Sequence, residues 1–180
     1  ERTAQLEKLL EEIRHLSVTD GLTGCYNRRA LQDKLPEEIE RAQRYHRPLA
    51  VVFMDIDQFK QFNDQHGHQL GDEVLRSAAK HVAGTLRQGV DWIARYGGEE
   101  FVLVLPETPL EAAIAIAHRL CDALPQHAVP NPRGGSVYIS ASFGVTAYRP
   151  GEDALALLSR ADALVYQAKS AGRQQVVAGA

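Results

Sequence analysis

Two carboxylates that leave a paired-glycine turn are the residues of this chain best suited to chemistry. Arg95-Tyr96-Gly97-Gly98-Glu99-Glu100-Phe101 lies between strand-like stretches, Trp92, Ile93 and Tyr96 on one side and Phe101 to Leu105 on the other. Glycines at a hairpin tip adopt positive φ without steric cost and let a ligand come close to the backbone. Glu99 and Glu100 leave the turn in succession, so strand alternation sends them to opposite faces and only one can face a given site. A second acidic strand end stands far upstream, where the apolar run Leu49 to Met54 closes on Asp55-Ile56-Asp57. Such a run reads as a buried strand whose end emerges into a cleft. A period of two puts Asp55 and Asp57 on one face. Carboxylates at a strand end, opposite a hairpin carrying another, suit a magnesium ion held jointly with nucleotide phosphates. The plainer reading of the same residues is a turn and a pair of solvated acids.

The elements that must position these groups follow from periodicity. Leu6, Leu9, Ile13 and Leu16 trace a heptad seam among Glu, Lys and Arg. Its two heptads fall short of the roughly three to four that define a coiled coil, so the segment is either the end of a longer signalling helix or a helix packed on its own domain. Thr19-Asp20-Gly21 breaks it. A helix follows from Arg28 to His46, with Pro36 interrupting it or opening its second half. The strand from Leu49 comes next, then a helix from Leu70 to Leu86 with Val74, Leu75, Ala78, Val82 and Leu86 on its apolar face. After the glycine hairpin come a helix over Leu110 to Leu124, a Pro- and Gly-rich loop over Val129 to Gly135, and a strand over Val137 to Thr146. A helix over Asp153 to Ser170 and a short strand over Gln174 to Val177 finish the chain. The core order β-α-β-β-α-β predicts an α/β (α+β) two-layer sandwich of ferredoxin-like type.

The spaced motifs resemble one family. Asp55-Ile56-Asp57-Gln58-Phe59-Lys60-Gln61-Phe62-Asn63-Asp64, Gly67-His68, Gly71-Asp72 and the Arg95 to Phe101 stretch are similar to the GGDEF family of diguanylate cyclases, in a GGEEF variant. Asp20 to Arg29 upstream, Ser142-Phe143-Gly144-Val145, and Ala161 to Arg173 downstream agree with it in the same order. The resemblance runs from about Asp20 to Arg173, which sets a cyclase domain at 19–177 after an N-terminal helix at 1–18. It implies a palm-like sheet shared with nucleotidyl cyclases. It also implies the condensation of two GTP into cyclic di-GMP with release of two pyrophosphates, by attack of each 3′-hydroxyl on the other's α-phosphorus. Magnesium, with manganese as the alternative, is the implied cofactor.

Residue by residue, the resemblance makes Asp55, Glu99 and the carbonyl of Ile56 metal ligands, and Glu99 the side chain that helps deprotonate the 3′-hydroxyl. Gly97 and Gly98 line the substrate. Phe59 and Lys60, then Lys169 and Arg173, hold phosphates; spaced by four, the last two share a face at a helix end. Asn63 and Asp72 read guanine, since a carboxylate can accept from N1–H and the 2-amino group where adenine offers no such donors. Their plainer readings are a turn-forming Asn63 and an Asp72 that caps a helix. Relatives often carry Arg-x-x-Asp before the glycines as a product-binding inhibitory site. Here Arg87-Gln88-Gly89-Val90-Asp91 holds one extra residue, so Arg87, Asp91 and Arg119 make at most a degenerate version of it.

Composition narrows the classes. The chain has 180 residues, 44% hydrophobic and 24% charged, enough for one globular domain with a real core. A net charge of −3 gives no field to attract nucleic acid. Cys25 and Cys121 read as small apolar residues rather than disulfide halves, and no zinc spacing occurs. No run is long and apolar enough to span a bilayer, so the expectation is a cytoplasmic protein, or the cytoplasmic part of a larger sensor, without direct membrane contact. Starting at Glu1 rather than methionine, the chain reads as a piece of something longer. Two subunits must meet for catalysis, because each supplies one set of acids. A catalytically inactive module that binds GTP or cyclic di-GMP, and a purely structural dimerisation module, are the competing readings.

Overall fold

The computed structural model describes residues 2–180, apart from the side chain of His15; Glu1, where the expected signalling helix begins, lies outside the described residues. Helix α1 (Arg2–Leu16) leads to α2 (Arg28–Tyr45), whose start is capped by Asn27 accepting from the Ala30 amide. Pro36 neither ends nor opens α2. It sits on the exposed side, where the carbonyl it leaves unpaired can reach water. Strand β1 (Leu49–Ile56) is followed by two helices, α3 (Phe59–His66) and α4 (His68–Thr85), split at Gly67 with φ of 89°. Helix α3 is not anticipated by the apolar periodicity, because none of its residues is buried.

The glycine hairpin joins β2 (Trp92–Gly97) to β3 (Glu100–Pro106), and α5 (Leu110–Ala123) follows. The region expected as a loop and one long strand divides into a small hairpin, β4 (Val129–Pro130) with β5 (Ser136–Val137), and a separate β6 (Ala141–Ala147). Helix α6 (Ala154–Ser170) and β7 (Val176–Gly179) complete the fold. The main sheet runs β2-β3-β1-β6-β7, antiparallel except for the last pair. Its first four strands carry the expected ferredoxin-like order.

Every residue of β1 is at least nine-tenths buried, which is why its sequence is apolar on both faces, without alternation, up to Asp55. Val52, Met54 and Ile56 pack on α4 and α5, and Val51 and Phe53 pack on α2 and α6. The two-layer core therefore has a second cover of helices on its other face. Gly144 sets how closely α6 approaches, since a Cβ there would stand 2.2 Å from the Ala161 carbonyl oxygen. That close approach seats the middle of α6 on β6 beside Phe53 of β1. In contrast, α1 does not pack back on the domain: Leu6, Leu9, Ile13 and Leu16 are all more than half exposed.

Candidate active site

Asp55 lies one residue from the end of β1, opposite Glu100 on β3 and Ser142 on β6. Its side chain is 7% exposed. Lys169, in the last turn of α6, places Nζ 2.7 Å from Oδ2, whereas Oδ1 is buried with no hydrogen-bond partner. Burial pushes the Asp55 carboxyl up to about 6, the charges of Glu99 and Asp57 add to this, and Lys169 pulls the other way. An unpaired lone pair on a buried carboxylate is unfavourable unless a further cation completes it. Glu100 is also pushed upward, first by burial and then by Asp55, Asp162 and Glu99. Strand alternation does not govern this pair. Glu99 sits in the turn, where strand alternation does not apply, and Glu100 opens β3 directly across from Asp55.

The glycine turn is held from outside the sheet. Arg95 donates from Nε to the Gly98 carbonyl at 2.9 Å and from Nη1 to both Asp20 oxygens at 3.2 Å. Burial pushes Asp20 up, but hydrogen bonds from Thr23 and the Arg95 charge leave it below the usual carboxylate range. Arg28 lies over the Tyr96 ring at 4.2 Å and donates to its hydroxyl. Gly98 has φ of 35°, and a Cβ there would meet nothing within 4 Å, so the tip faces open space. The Ile56 amide donates to the Glu99 carbonyl at 3.2 Å, which ties the turn to the end of β1.

Helix α3 starts immediately beyond this strand end, after Gln58 in a left-handed conformation with no side-chain cap. The first amides of a helix lack intrahelical acceptors, so those at Phe59 and Lys60 are left without one at the start of α3. The Asn63 Oδ1 is buried and unpartnered, and a Cβ at Gly71 would stand 1.9 Å from it. Asp72 is not a cap, because α4 begins four residues earlier. It lines a cavity of about 350 Å³ with His66, Arg76, Asn131 and Arg133. Arg173 departs from the expected helical pairing with Lys169. Helix α6 ends at Ser170, and Arg173 sits in the following turn with φ of 64°, its amide donating to the Ala168 carbonyl.

Residues 17–175 match the family described as "Diguanylate cyclase, GGDEF domain". The chain belongs to the GGDEF family. It is 42% identical over 170 residues to the diguanylate cyclase DgcP of Pseudomonas aeruginosa, covering 93% of this chain and 25% of that protein. It is 41% identical over 177 residues to the response regulator PleD of Caulobacter vibrioides, covering 97% and 39% respectively. The chain therefore spans well under half the length of these two relatives. The crystal structure of the GGDEF domain of DgcB from Caulobacter crescentus in complex with c-di-GMP aligns with a TM-score of 0.85 and 33% identity, covering 90% of this chain and 95% of that one.

A divalent cation fits the centre of this GGDEF domain, as such metals generally do in the family. The orphaned Asp55 Oδ1, the neighbouring Glu99, and an ammonium on Oδ2 mark a place that needs positive charge. Among the described residues no three His, Cys, Asp or Glu side chains form a complete ligand cluster. That suits a hard cation which takes one or two carboxylates and completes its shell with phosphate oxygens and water. Asp57, in the turn just past β1, is already engaged: it accepts from Ser140 and Ser142 hydroxyls at 2.6 Å and from the Gln174 amide at 3.1 Å.

The degenerate inhibitory motif is likewise internally satisfied in this GGDEF domain. Arg87 donates to both oxygens of Asp91, to the Pro106 carbonyl and to Thr108, and the Asp91 side chain is 2% exposed. Arg87 thus closes the 87–91 turn with its side chain half exposed. Arg119 stands exposed on α5 and shares no hydrogen bond or ion pair with either residue among those described. The Asp20–Arg95–Gly98 chain and the Asp57 contacts had no local signal in the sequence, since each joins segments far apart in the chain.

Proposed function

We propose that this domain condenses two GTP into cyclic di-GMP and two pyrophosphates, as the catalytic output of a larger signalling protein. The observation that carries the reading is the buried Asp55 carboxylate with its unpartnered Oδ1, set between Glu100 and Ser142 beneath an open glycine turn. Magnesium, on Asp55, Glu99 and the Ile56 carbonyl, would offset phosphate charge and acidify the attacking 3′-hydroxyl. Glu99 receives the hydroxyl proton on a carboxylate oxygen. Lys169 exchanges Asp55 for a phosphate oxygen, and Arg173 and the Phe59 and Lys60 amides hold the rest of the triphosphate. Asp72 accepts from guanine N1–H and the 2-amino group, Asn63 pairs with the base through its amide, and ATP would leave the half-buried Asp72 acceptor unpaired. As the new 3′-oxygen–phosphorus bond forms, the bond to pyrophosphate breaks, and the cations keep the departing charge in place.

One such centre handles one nucleotide, so two domains must face each other. The exposed seam Leu6, Leu9, Ile13 and Leu16 supports a reading of residues 1–18 as the helix that brings them together. Cytoplasmic placement follows from the GTP substrate; among the described residues no helix is long and apolar enough to cross a membrane. The test is incubation of the chain with GTP and magnesium, or manganese, and chromatographic separation of products. Cyclic di-GMP with two equivalents of pyrophosphate is expected. GTP left unconverted at every protein concentration would overturn the reading in favour of a nucleotide-binding module.

A further inference from the structure

The turn after α6 holds three consecutive residues at positive φ: Gly172 at 119°, Arg173 at 64° and Gln174 at 46°. Two of them carry side chains, and such a run persists only where surrounding contacts over-determine it. On the N-terminal side the Arg173 amide donates to the Ala168 carbonyl at 3.0 Å. Beyond it, the Gln174 amide donates to Asp57 Oδ2 at 3.1 Å, across 117 positions of sequence. The Gln175 carbonyl then accepts from the Phe143 amide and leads the chain into β7. Arg173 is therefore pinned on both sides, whereas its exposed guanidinium has no hydrogen bond or ion pair among the described residues. Asp57 is itself braced by the Ser140 and Ser142 hydroxyls and by its own amide, which donates to the Ser140 carbonyl at 2.9 Å.

We propose that Asp57 is a positioning residue rather than a metal ligand: it clamps the left-handed turn and so aims Arg173 at the terminal phosphates of the nucleotide. This rests on the reading of Arg173 as a phosphate-binding cation. The two carboxylates of the Asp-Ile-Asp strand end thus divide the work. Asp55 keeps an oxygen unpartnered for a cation, and Asp57 has both oxygens committed to protein donors.

Asp57→Ser isolates the clamp. A serine there is too short to reach Gln174, whose N–H loses its acceptor. Asp57→Asn is the control, since its oxygen can still serve Ser140 and Gln174 while its nitrogen donates to the Ser142 hydroxyl, and it should behave nearly as wild type. With Asp57→Ser, amide exchange at Gln174 in the nucleotide-free chain should accelerate about tenfold, and KM for GTP should rise about tenfold with kcat and magnesium half-saturation nearly unchanged. Arg173→Ala should raise KM similarly, and the double variant should add less than about twofold, because both changes remove one interaction. Unchanged exchange and KM would overturn the proposal. A raised magnesium half-saturation, or multiplying effects in the double variant, would overturn it in favour of direct ligation. If Arg173→Ala leaves KM unchanged, the phosphate role of Arg173 falls, and exchange at Gln174 alone decides the clamp. If the serine variant does not fold, Asp57→Ala, which likewise leaves the Gln174 N–H without an acceptor, gives the same outcomes.

Discussion

Replacing Asp55 by Asn should inactivate the domain and stabilise it, and the two effects have one cause. The carboxyl is lifted by burial from its ordinary 3.8 to about 6, with the help of Lys169 already counted against that rise. The difference amounts to about 3 kcal/mol against the ionised form in the folded protein. Because the folded value exceeds the unfolded one, the native state binds the proton more tightly. The stabilisation from a protonated Asp55 is complete below about pH 4 and is lost as pH rises through about 6. At pH 7.5 the wild-type protein carries the whole penalty, which Asn avoids. Lys169, about a third exposed, loses its partner but can turn to water, leaving a net gain of about 2 kcal/mol. For a domain of this size that is a rise in Tm of about 4–8 °C. Thermal melts of both proteins, free of nucleotide and metal, across pH 4 to 7.5 measure it. The gain should shrink toward zero at the acid end. A variant that melts lower than wild type at pH 7.5, or a difference independent of pH, would refute the assignment of Asp55 as an electrostatically strained site carboxylate.

The remaining expectations concern the reaction itself. Glu99→Gln, with almost no change in volume, should abolish cyclic di-GMP formation while leaving the circular dichroism spectrum intact; turnover within about tenfold of wild type would remove Glu99 from proton transfer. Asp72→Ser should relax the preference for GTP over ATP, read as the ratio of kcat/KM values in competition, and an unchanged ratio would place guanine recognition elsewhere. Since Arg87 is committed to Asp91, Pro106 and Thr108, Gln88→Arg is the change that should create product affinity; calorimetry with cyclic di-GMP should show binding at least about tenfold tighter than wild type, and tight binding by the wild-type chain would contradict the locked turn. A parallel zipper fused in register ahead of Leu6 should raise specific activity at low protein concentration through effective concentration alone. Rates first order in enzyme with and without the zipper, in protein shown to be monomeric, would count against catalysis across a dimer.

What this sequence determined by itself was carried by short-range physics. The apolar run Leu49 to Met54 of β1, the glycine pair at the hairpin tip and the apolar stripe of α4 each impose their element through period, turn chemistry or burial, and the spaced motifs fixed the family. Where a motif fell silent, local signals misled. Alternation assigned Glu99 and Glu100 to opposite faces, but alternation holds only inside a strand and Glu99 precedes one. A spacing of four put Lys169 and Arg173 on one helical face, but α6 stops at Ser170 and the chain turns left-handed. Asp55 and Asp57 are alike in sequence, two residues apart on one strand end. Only the tertiary structure separates them, because the serines and the Gln174 amide that occupy Asp57 arrive from 83 to 117 positions away. Which lone pairs remain open for a ligand depends on which distant donors the fold brings within hydrogen-bond reach, and no local pattern in the sequence carries that information.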